Sequence, residues 1–237
     1  MFVLKKKNLI IISVLLITVL TFIFCFGALS VRVIDDTSSS KIRVVLDAGH
    51  GGIDGGVCGV NTGVKESELN LQVVKKLKNY LTSAGMSVVL TRNSEAGLYG
   101  IASSNFKKKD MQKRRDVIKN ASPDIVISIH MNKFSISTRR GAQVFYKAGD
   151  EFGLILAKSV QESFNQMNES TREFSALSGD YYILNCSNYP SIIAECGFLS
   201  NPEDEALLIT EAYQDNVAYA IFKGVVSYLS QMSFRYF

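Results

Sequence analysis

The sequence predicts an α/β fold for residues 42–237, with a mainly parallel, twisted sheet flanked by helices in a single domain. Short β-branched apolar runs alternate with amphipathic stretches, a pattern typical of strands joined by crossover helices. Several runs are apolar throughout, as expected for strands that are buried on both faces. The predicted strands are IRVVLD (42–47), SVVLT (87–91), DIVISI (124–129), AQVFY (142–146) and SIIAE (191–195).

The amphipathic stretches predict the helices. SELNLQVVKKLKNYLTSAG (67–85) carries apolar residues four positions apart, which indicates a helix with one buried face, and Gly85 is a typical helix stop. Further helices are predicted at 110–120, 151–170 and 204–230.

The N-terminal region differs in character from this domain. Residues 9–29 contain no charge and follow three lysines, Lys5 to Lys7, which predicts a membrane anchor with the lysines in the cytoplasm. A secretory signal cleaved near Ala28-Leu29-Ser30 is the alternative for residues 1–29. Residues 30–41 are polar and serine-rich, as in a linker. Either interpretation places the domain outside the cytoplasm.

The charge distribution limits the classes of partner, and the cysteine spacing indicates the state of the thiols. The net charge is +4, and KKKDMQKRR (107–115) concentrates six of the 26 basic residues. A solvated helix start explains such a run, and contact with an anionic wall polymer or lipid surface is the alternative. No nucleic-acid partner is expected outside the cytoplasm. The domain contains Cys58, Cys186 and Cys196, an odd number without CxxC spacing, which indicates buried free thiols.

Three titratable residues follow or end predicted strands. His50 lies just after the first strand, His130 ends the third and Glu195 ends the last, and the chain has only two histidines. Ligands bind beyond the carboxyl ends of strands in open α/β sheets. These three side chains are therefore expected at one edge of the sheet, in one site.

Two imidazoles and one carboxylate are a common ligand set for catalytic zinc. Glu66 is the favoured carboxylate, because it lies at a helix start after a glycine-rich loop that can bring it to His50. Glu68 is the competing residue, although an early helical carboxylate also stabilises the helix dipole without any metal. Asp47 and Asp54 are alternative ligands, although a role in supporting the ligands or bracing the loop is favoured for them.

Five sequence motifs, in order, resemble those of the zinc-dependent N-acetylmuramoyl-L-alanine amidases of the Amidase_3 family. The resemblance extends from residue 43 to about residue 230. The motifs are LDAGHGGIDGG (46–56), GVKESELNL (63–71), TR (91–92), RRDVIKN leading into DIVISIHMN (114–132), and AECGFLSNPED (194–204).

The resemblance implies a peptidoglycan hydrolase that cuts the amide between the lactyl group of N-acetylmuramic acid and L-alanine of the stem peptide. His50, Glu66 and His130 match the family's zinc ligands, and Glu195 matches its catalytic glutamate. Zinc would generate a hydroxide at neutral pH and polarise the carbonyl, and Glu195 would transfer the proton to the leaving nitrogen.

Three further residues are predicted to contact substrate. Arg92 and Arg115 fall on family arginine positions, with pairing to nearby carboxylates as the alternative. Asn132 is placed where it would orient substrate or His130, and an amide that braces the loop is the alternative.

A narrower resemblance is to the CwlD-type amidases of endospore formers. The 22 residues from Asn93 to Arg114 exceed the basic family spacing, and the catalytic domain follows an N-terminal anchor. The resemblance implies action on spore cortex on the way to muramic-δ-lactam, with a deacetylase acting afterwards and a membrane-held accessory protein. Residues 93–110 are expected to form a flexible flap or glycan-contacting loop.

Two other functions remain open from the sequence. A catalytically inactive amidase-like domain would bind wall or regulate a partner. A zinc peptidase would cut within the stem peptide, since a metal and a glutamate serve any amide.

Overall fold

The computed structural model of the protein divides into two compact units, Met1–Ser40 and Lys41–Phe237. The predicted anchor (9–29) and linker (30–41) lie almost entirely outside the described residues, and the few described positions before residue 41 are helical. Across the described part of the chain, no helix combines the length and the apolar character needed to cross a membrane. The structure describes residues 7, 15, 17–19, 21, 41–101, 104–167 and 173–236.

One six-stranded sheet organises the second unit, in the order β2-β1-β3-β6-β4-β5. All neighbouring strands are parallel except β4 and β6, so the predicted α/β fold is confirmed with a mixed sheet. The strands are β1 (Arg43–Ala48), β2 (Ser87–Leu90), β3 (Ile125–Asn132), β4 (Gln143–Tyr146), β5 (Leu177–Ser178) and β6 (Ser191–Phe198).

The helices follow the prediction with two differences. The second helix begins at Phe106 rather than at residue 110. The predicted helix 204–230 is two helices, because a new helix begins where the Thr210 hydroxyl accepts a hydrogen bond from the Tyr213 N–H, at 3.3 Å. The helices are α1 (Glu66–Ser83), α2 (Phe106–Ala121), α3 (Glu151–Met167), α4 (Tyr182–Asn185), α5 (Pro202–Leu208) and α6 (Glu211–Tyr236).

Successive residues of the central strands point into two different cores. The larger core lies between one face of the sheet and helices α1, α3 and α6, and includes Leu46, Leu77 and Ile127. The smaller core lies on the other face beneath α2 and α4, and includes Val45 and Val126. Because the smaller core ends before the carboxyl ends of the strands do, this second face has room for polar side chains.

The three cysteines of this unit are free thiols, as predicted, but the predicted burial holds only for Cys196. Cys196 is buried in the larger core, Cys186 is half-buried and Cys58 is exposed.

Candidate metal centre and active site

His130 and Glu195 are cross-strand neighbours at the carboxyl end of the sheet. The register of β3 and β6 places His130 opposite Glu195, with both side chains on the face of the smaller core. Both strands continue beyond these residues, to Asn132 and Phe198, so the site lies slightly inside the predicted edge.

His50 follows β1 in a strained backbone conformation. Its φ of 60° lies in the left-handed region, which costs a residue with a Cβ roughly 1–2 kcal/mol. The loop closes on itself through the Gly51 N–H, which donates to the Asp54 carbonyl at 2.8 Å. This turn brings the His50 ring to 5.0 Å from the His130 ring, centroid to centroid.

Glu66 completes a three-residue group with the two histidines. Its Oε1 lies 2.8 Å from His130 Nδ1 and 3.2 Å from His50 Nε2. The three donor atoms all lie within 4.8 Å of one another. Glu68, the competing carboxylate, instead lies 4.0 Å from Lys65 Nζ at the surface.

His50 and Glu66 are each oriented by a further partner. Asp54 Oδ2 lies 2.9 Å from His50 Nδ1, which leaves Nε2 directed to Glu66. The Val57 N–H donates to Glu66 Oε2 at 2.9 Å, and the Asn70 amide donates to Glu66 Oε1 at 3.3 Å. Such secondary partners are typical of metal ligands. Asp54 therefore occupies the supporting position that the sequence predicted.

The electrostatics of this group suit a cation. Burial by itself would lower the pKa of His50, but hydrogen bonds and charge from Glu66 and Asp54 outweigh it and raise this pKa to about 9. The pKa of His130 is also raised, and that of Glu66 lies well below its usual range, because the Glu66 carboxylate faces both rings. A buried carboxylate between two imidazoles thus favours positive charge, and the two nitrogens and one oxygen match the donor types that Zn²⁺ prefers.

The backbone beside this group has no room for a side chain. A Cβ on Gly49 would overlap the His130 ring. The Asn70 amide donates to the Gly49 carbonyl at 3.1 Å, which holds this close approach in place. Only glycine fits at this point of the loop.

Glu195 differs from Glu66 in its lack of partners. Its Oε2 is buried and has no hydrogen-bond partner among the described residues. Burial raises the pKa of Glu195 to about 7; the charge of His130 opposes this rise and that of Glu66 adds to it. A carboxyl group whose pKa lies near neutrality can both accept and donate a proton at physiological pH.

A cavity of about 370 Å³ opens in front of Glu195 and the two histidines. One wall is apolar and aromatic, and the sequence patterns did not predict it. Most of its residues come from the start of α2, from the four-residue helix α4 and from the residue before α4, whereas Ile193 lies on the predicted strand β6. The adjacent tyrosines in SGDYYILN (178–185) are the one local signal. The wall residues are Phe106, Met111, Tyr181, Tyr182, Ile183 and Ile193.

A buried ion pair supports the floor of this cavity. Arg114 Nη1 lies 2.7 Å from Asp47 Oδ1, and Arg114 also contacts Asp110 Oδ2 and donates to the His50 carbonyl. Arg115, the predicted arginine, instead pairs with Asp116 at the surface and does not line the cavity. The buried contacts thus belong to the neighbouring arginine, which lies on the inward side of α2.

The predicted substrate contacts of Arg92 and Asn132 are not supported by their positions. Arg92 is 3% exposed, and its guanidinium donates only to backbone carbonyls, which leaves it a structural role. The Asn132 side chain accepts from the Lys133 N–H at 2.7 Å and does not line the cavity. The carbonyls bound by Arg92 are those of Ala48, Gly49, Ser67 and Ser94.

An α/β domain with two imidazoles, one carboxylate and an adjacent unpaired glutamate has the arrangement of a metal-dependent hydrolase. Residues 44–227 match the family model described as Amidase_3, N-acetylmuramoyl-L-alanine amidase. The chain therefore belongs to this amidase family.

Its relatives include a germination-specific amidase and two amidases of known structure. The germination-specific N-acetylmuramoyl-L-alanine amidase of Bacillus subtilis (strain 168) is 33% identical over 197 residues, which are 81% of each protein. The CwlD amidase from Clostridioides difficile, solved in complex with the GerS lipoprotein, is 34% identical with a TM-score of 0.78 over 80% of this chain and 99% of that one. An N-acetylmuramoyl-L-alanine amidase from Clostridium difficile 630 is 33% identical with a TM-score of 0.71, over 80% and 97% of the two chains.

Proposed function

We propose that the protein is a zinc-dependent N-acetylmuramoyl-L-alanine amidase that acts on spore cortex peptidoglycan. The observation that carries the catalytic part is the position of Glu195. Its buried, unpaired Oε2 lies on the strand residue paired with His130, within reach of the three-donor group. A buried polar atom without a partner is costly, and a reacting water or amide would supply the missing partner.

His50, Glu66 and His130 would hold the metal. When bound, zinc would lower the pKa of a water molecule and polarise the scissile carbonyl. Glu195 takes a proton from the attacking water and passes it to the amide nitrogen. A carbon–oxygen bond forms and the carbon–nitrogen bond breaks, which leaves a lactyl carboxyl group on the sugar and a free amine on L-alanine. The apolar wall excludes water around this transfer.

Mass analysis of digested peptidoglycan tests the reaction. The full chain should release peptides with a free N-terminal L-alanine and leave the glycan strands intact, and Glu195→Gln should not. Shortened stem peptides would indicate a peptidase instead. Unchanged wall with retained binding would indicate a non-catalytic wall-binding domain.

Two carboxylates in the first turn of α1, two positions apart, test the metal site. Glu66→Ala should lose bound zinc, measured by elemental analysis, together with activity. Glu68→Ala is the matched control, because Glu68 is exposed and lies near Lys65, and this variant should keep both. Equal zinc content in the two variants would contradict the proposed ligand set.

The cortex role is supported by similarity to the germination-specific amidase and to CwlD. Expression in an endospore former that lacks its own germination-specific amidase should restore muramic-δ-lactam, the product made after a deacetylase follows the amidase. Restored wall cleavage without muramic-δ-lactam would leave the amidase activity and exclude the cortex role.

Membrane attachment and an accessory partner belong to the same proposal. The uncharged segment 9–29 after three lysines supports an anchor with the domain outside the cytoplasm. The full-length chain should fractionate with membranes. Its domain should be protected from added protease in intact cells and digested once the cell wall is removed. A soluble form beginning near Val31 would contradict the anchor. Because the similar CwlD was solved in complex with a lipoprotein, we expect a membrane-held lipoprotein to bind this domain.

A further inference from the structure

The segment expected to be a flap is fastened to the loop that carries His50. We name residues 50–56 the metal loop and residues 93–101 the brace segment. The Gly52 N–H donates to the Glu95 carbonyl at 2.6 Å, and the Ile53 N–H donates to the Tyr99 hydroxyl at 2.6 Å. Two successive N–H groups of the metal loop are therefore bound by the brace segment.

The Tyr99 ring is interlocked with both segments. A Cβ on Gly52 or on Gly97 would overlap the Tyr99 side chain, so the ring occupies space that two glycines leave. The ring also meets Phe106 edge-on, with 5.4 Å between ring centroids. Phe106 begins α2, so Tyr99 joins the metal loop to a helix that already packs on the sheet.

The start of α2 reinforces the same contact. Lys107 Nζ lies 3.5 Å from Asp54 Oδ1, and the Leu98 N–H donates to Asp110 Oδ1 at 2.6 Å. Asp110 in turn contacts Arg114, which donates to the His50 carbonyl. The brace segment is thus linked to the His50 end of the metal loop through Asp110 and Arg114, and Lys107 of α2 contacts Asp54 in the same loop.

Asp54, the residue after Ile53, links Tyr99 to the metal site. Ile53 precedes Asp54, whose carboxylate lies 2.9 Å from His50 Nδ1 and so determines that Nε2 faces Glu66. We infer that Tyr99 is a positioning residue: by binding the Ile53 N–H, it fixes Asp54 and keeps His50 oriented for metal binding. This inference rests on the proposed metal site and assigns the brace segment a fixed role in place of a moving flap.

Zinc affinity of the full chain, measured by competition with a chromophoric chelator, tests the inference. Tyr99→Phe keeps the ring and its packing but removes one hydrogen bond, which is worth about 1 kcal/mol, and should weaken zinc binding roughly 3- to 10-fold. Asp54→Asn, the direct partner of His50, should weaken it roughly 10- to 100-fold. Tyr80→Phe is the matched control, because Tyr80 also donates one hydrogen bond, to Asp215 at 2.8 Å, between α1 and α6. It should leave zinc affinity unchanged.

A double variant tests whether Tyr99 acts through Asp54. If it does, Tyr99→Phe/Asp54→Asn should bind zinc as Asp54→Asn alone does, since the hydroxyl has nothing left to position. Multiplied losses would overturn this route. The cobalt-substituted protein gives a second readout, and Tyr99→Phe should alter its visible absorption bands while Tyr80→Phe should not.

The outcomes separate this inference from the proposed function. If the unmodified chain binds zinc tightly and Tyr99→Phe binds it equally well with an unchanged cobalt spectrum, the positioning role is wrong and the amidase proposal stands. If the unmodified chain binds no zinc, both are wrong. Weaker zinc binding in Tyr99→Phe but not in Tyr80→Phe supports both the positioning role and the proposed metal site.

Discussion

The two faces of the sheet are built differently, although the same strands supply both. Along β3, the residues Ile125, Ile127 and Ile129 face helices α1, α3 and α6 and are fully buried in hydrocarbon. The intervening residues begin apolar at Val126 and become polar toward the carboxyl end, at Ser128 and His130. One face is an apolar core along its length, and the other changes from core to site.

The difference has an energetic reason. Apolar burial supplies most of the stability of a domain, and a large core on one face can support buried polar groups on the other. Those polar groups need partners, and Asp47 shows how they are met: its carboxylate accepts from Thr91 and Ser128 at 2.6 Å each, in addition to Arg114. Glu195 is a half-buried carboxylate whose buried Oε2 this network does not reach.

The sharpest test of the comparison removes chemistry from the polar face without changing its packing. Glu195→Gln is nearly isosteric and cannot accept a proton, so the rate on purified wall should fall roughly 10²- to 10⁴-fold, or about 3–5 kcal/mol in the barrier. Zinc content and melting temperature should be unchanged, because Glu195 makes no hydrogen bond through Oε2. A zinc-free or normally active variant would defeat the assignment.

Breaking the polar network should instead reduce stability. Asp47→Asn removes one carboxylate from the buried Arg114, and the free energy of unfolding should fall by about 3–5 kcal/mol in denaturant titrations. Asp116→Asn is the control, since its pair with Arg115 is solvent-exposed, and it should leave stability unchanged. Similar effects of the two variants would mean that the polar face carries no buried network.

The apolar face should tolerate loss of hydrocarbon without loss of chemistry. Leu77 is fully buried, and Leu77→Ala should lower the free energy of unfolding by about 2–5 kcal/mol. Leu207→Ala, at a position 38% exposed, should change it by less than about 0.5 kcal/mol. The rate per folded molecule should be normal in both. A large loss of rate in folded Leu77→Ala would show that the two faces are coupled.

Acid should lower the free energy of unfolding by protonating Asp47 on the polar face. Burial alone would raise the pKa of Asp47, but Arg114 and the hydrogen bonds from Ser128 and Thr91 outweigh it and lower this pKa to about 2, from 3.8. The resulting stability is present above pH 3.8 and is lost as the pH falls through about 2, and it amounts to about 2 kcal/mol. Denaturant titrations, with a chelator present to remove metal, should therefore show that the free energy of unfolding falls more steeply with decreasing pH in the unmodified chain than in Asp47→Asn. The same pH dependence in the two proteins would mean that other carboxylates cause the acid sensitivity.

Much of this organisation was predictable because it follows from local periodicity. The five apolar runs became strands, and the helix over Leu69 to Leu81 has the predicted buried face. Because parallel strands present their carboxyl ends at one edge, His130 and Glu195 were expected to meet, and the structure pairs them in register. The short elements β5 and α4 were missed, since two and four residues are too few to show a period.

Local patterns in the chain were enough to predict the fold class, the edge of the sheet that carries the titratable groups, and the preference for Glu66 over Glu68. The first two follow from burial patterns of period 2.0 and 3.6, which are local properties of the chain. The preference for Glu66 followed from the glycine-rich loop that precedes it. Only the tertiary structure decided that Arg114 rather than Arg115 is buried, and that Tyr99 binds the loop of His50 from 46 residues away along the chain. Adjacent arginines differ only by about 100° around a helix, and contacts between distant loops leave no periodic signal, so packing alone selects them.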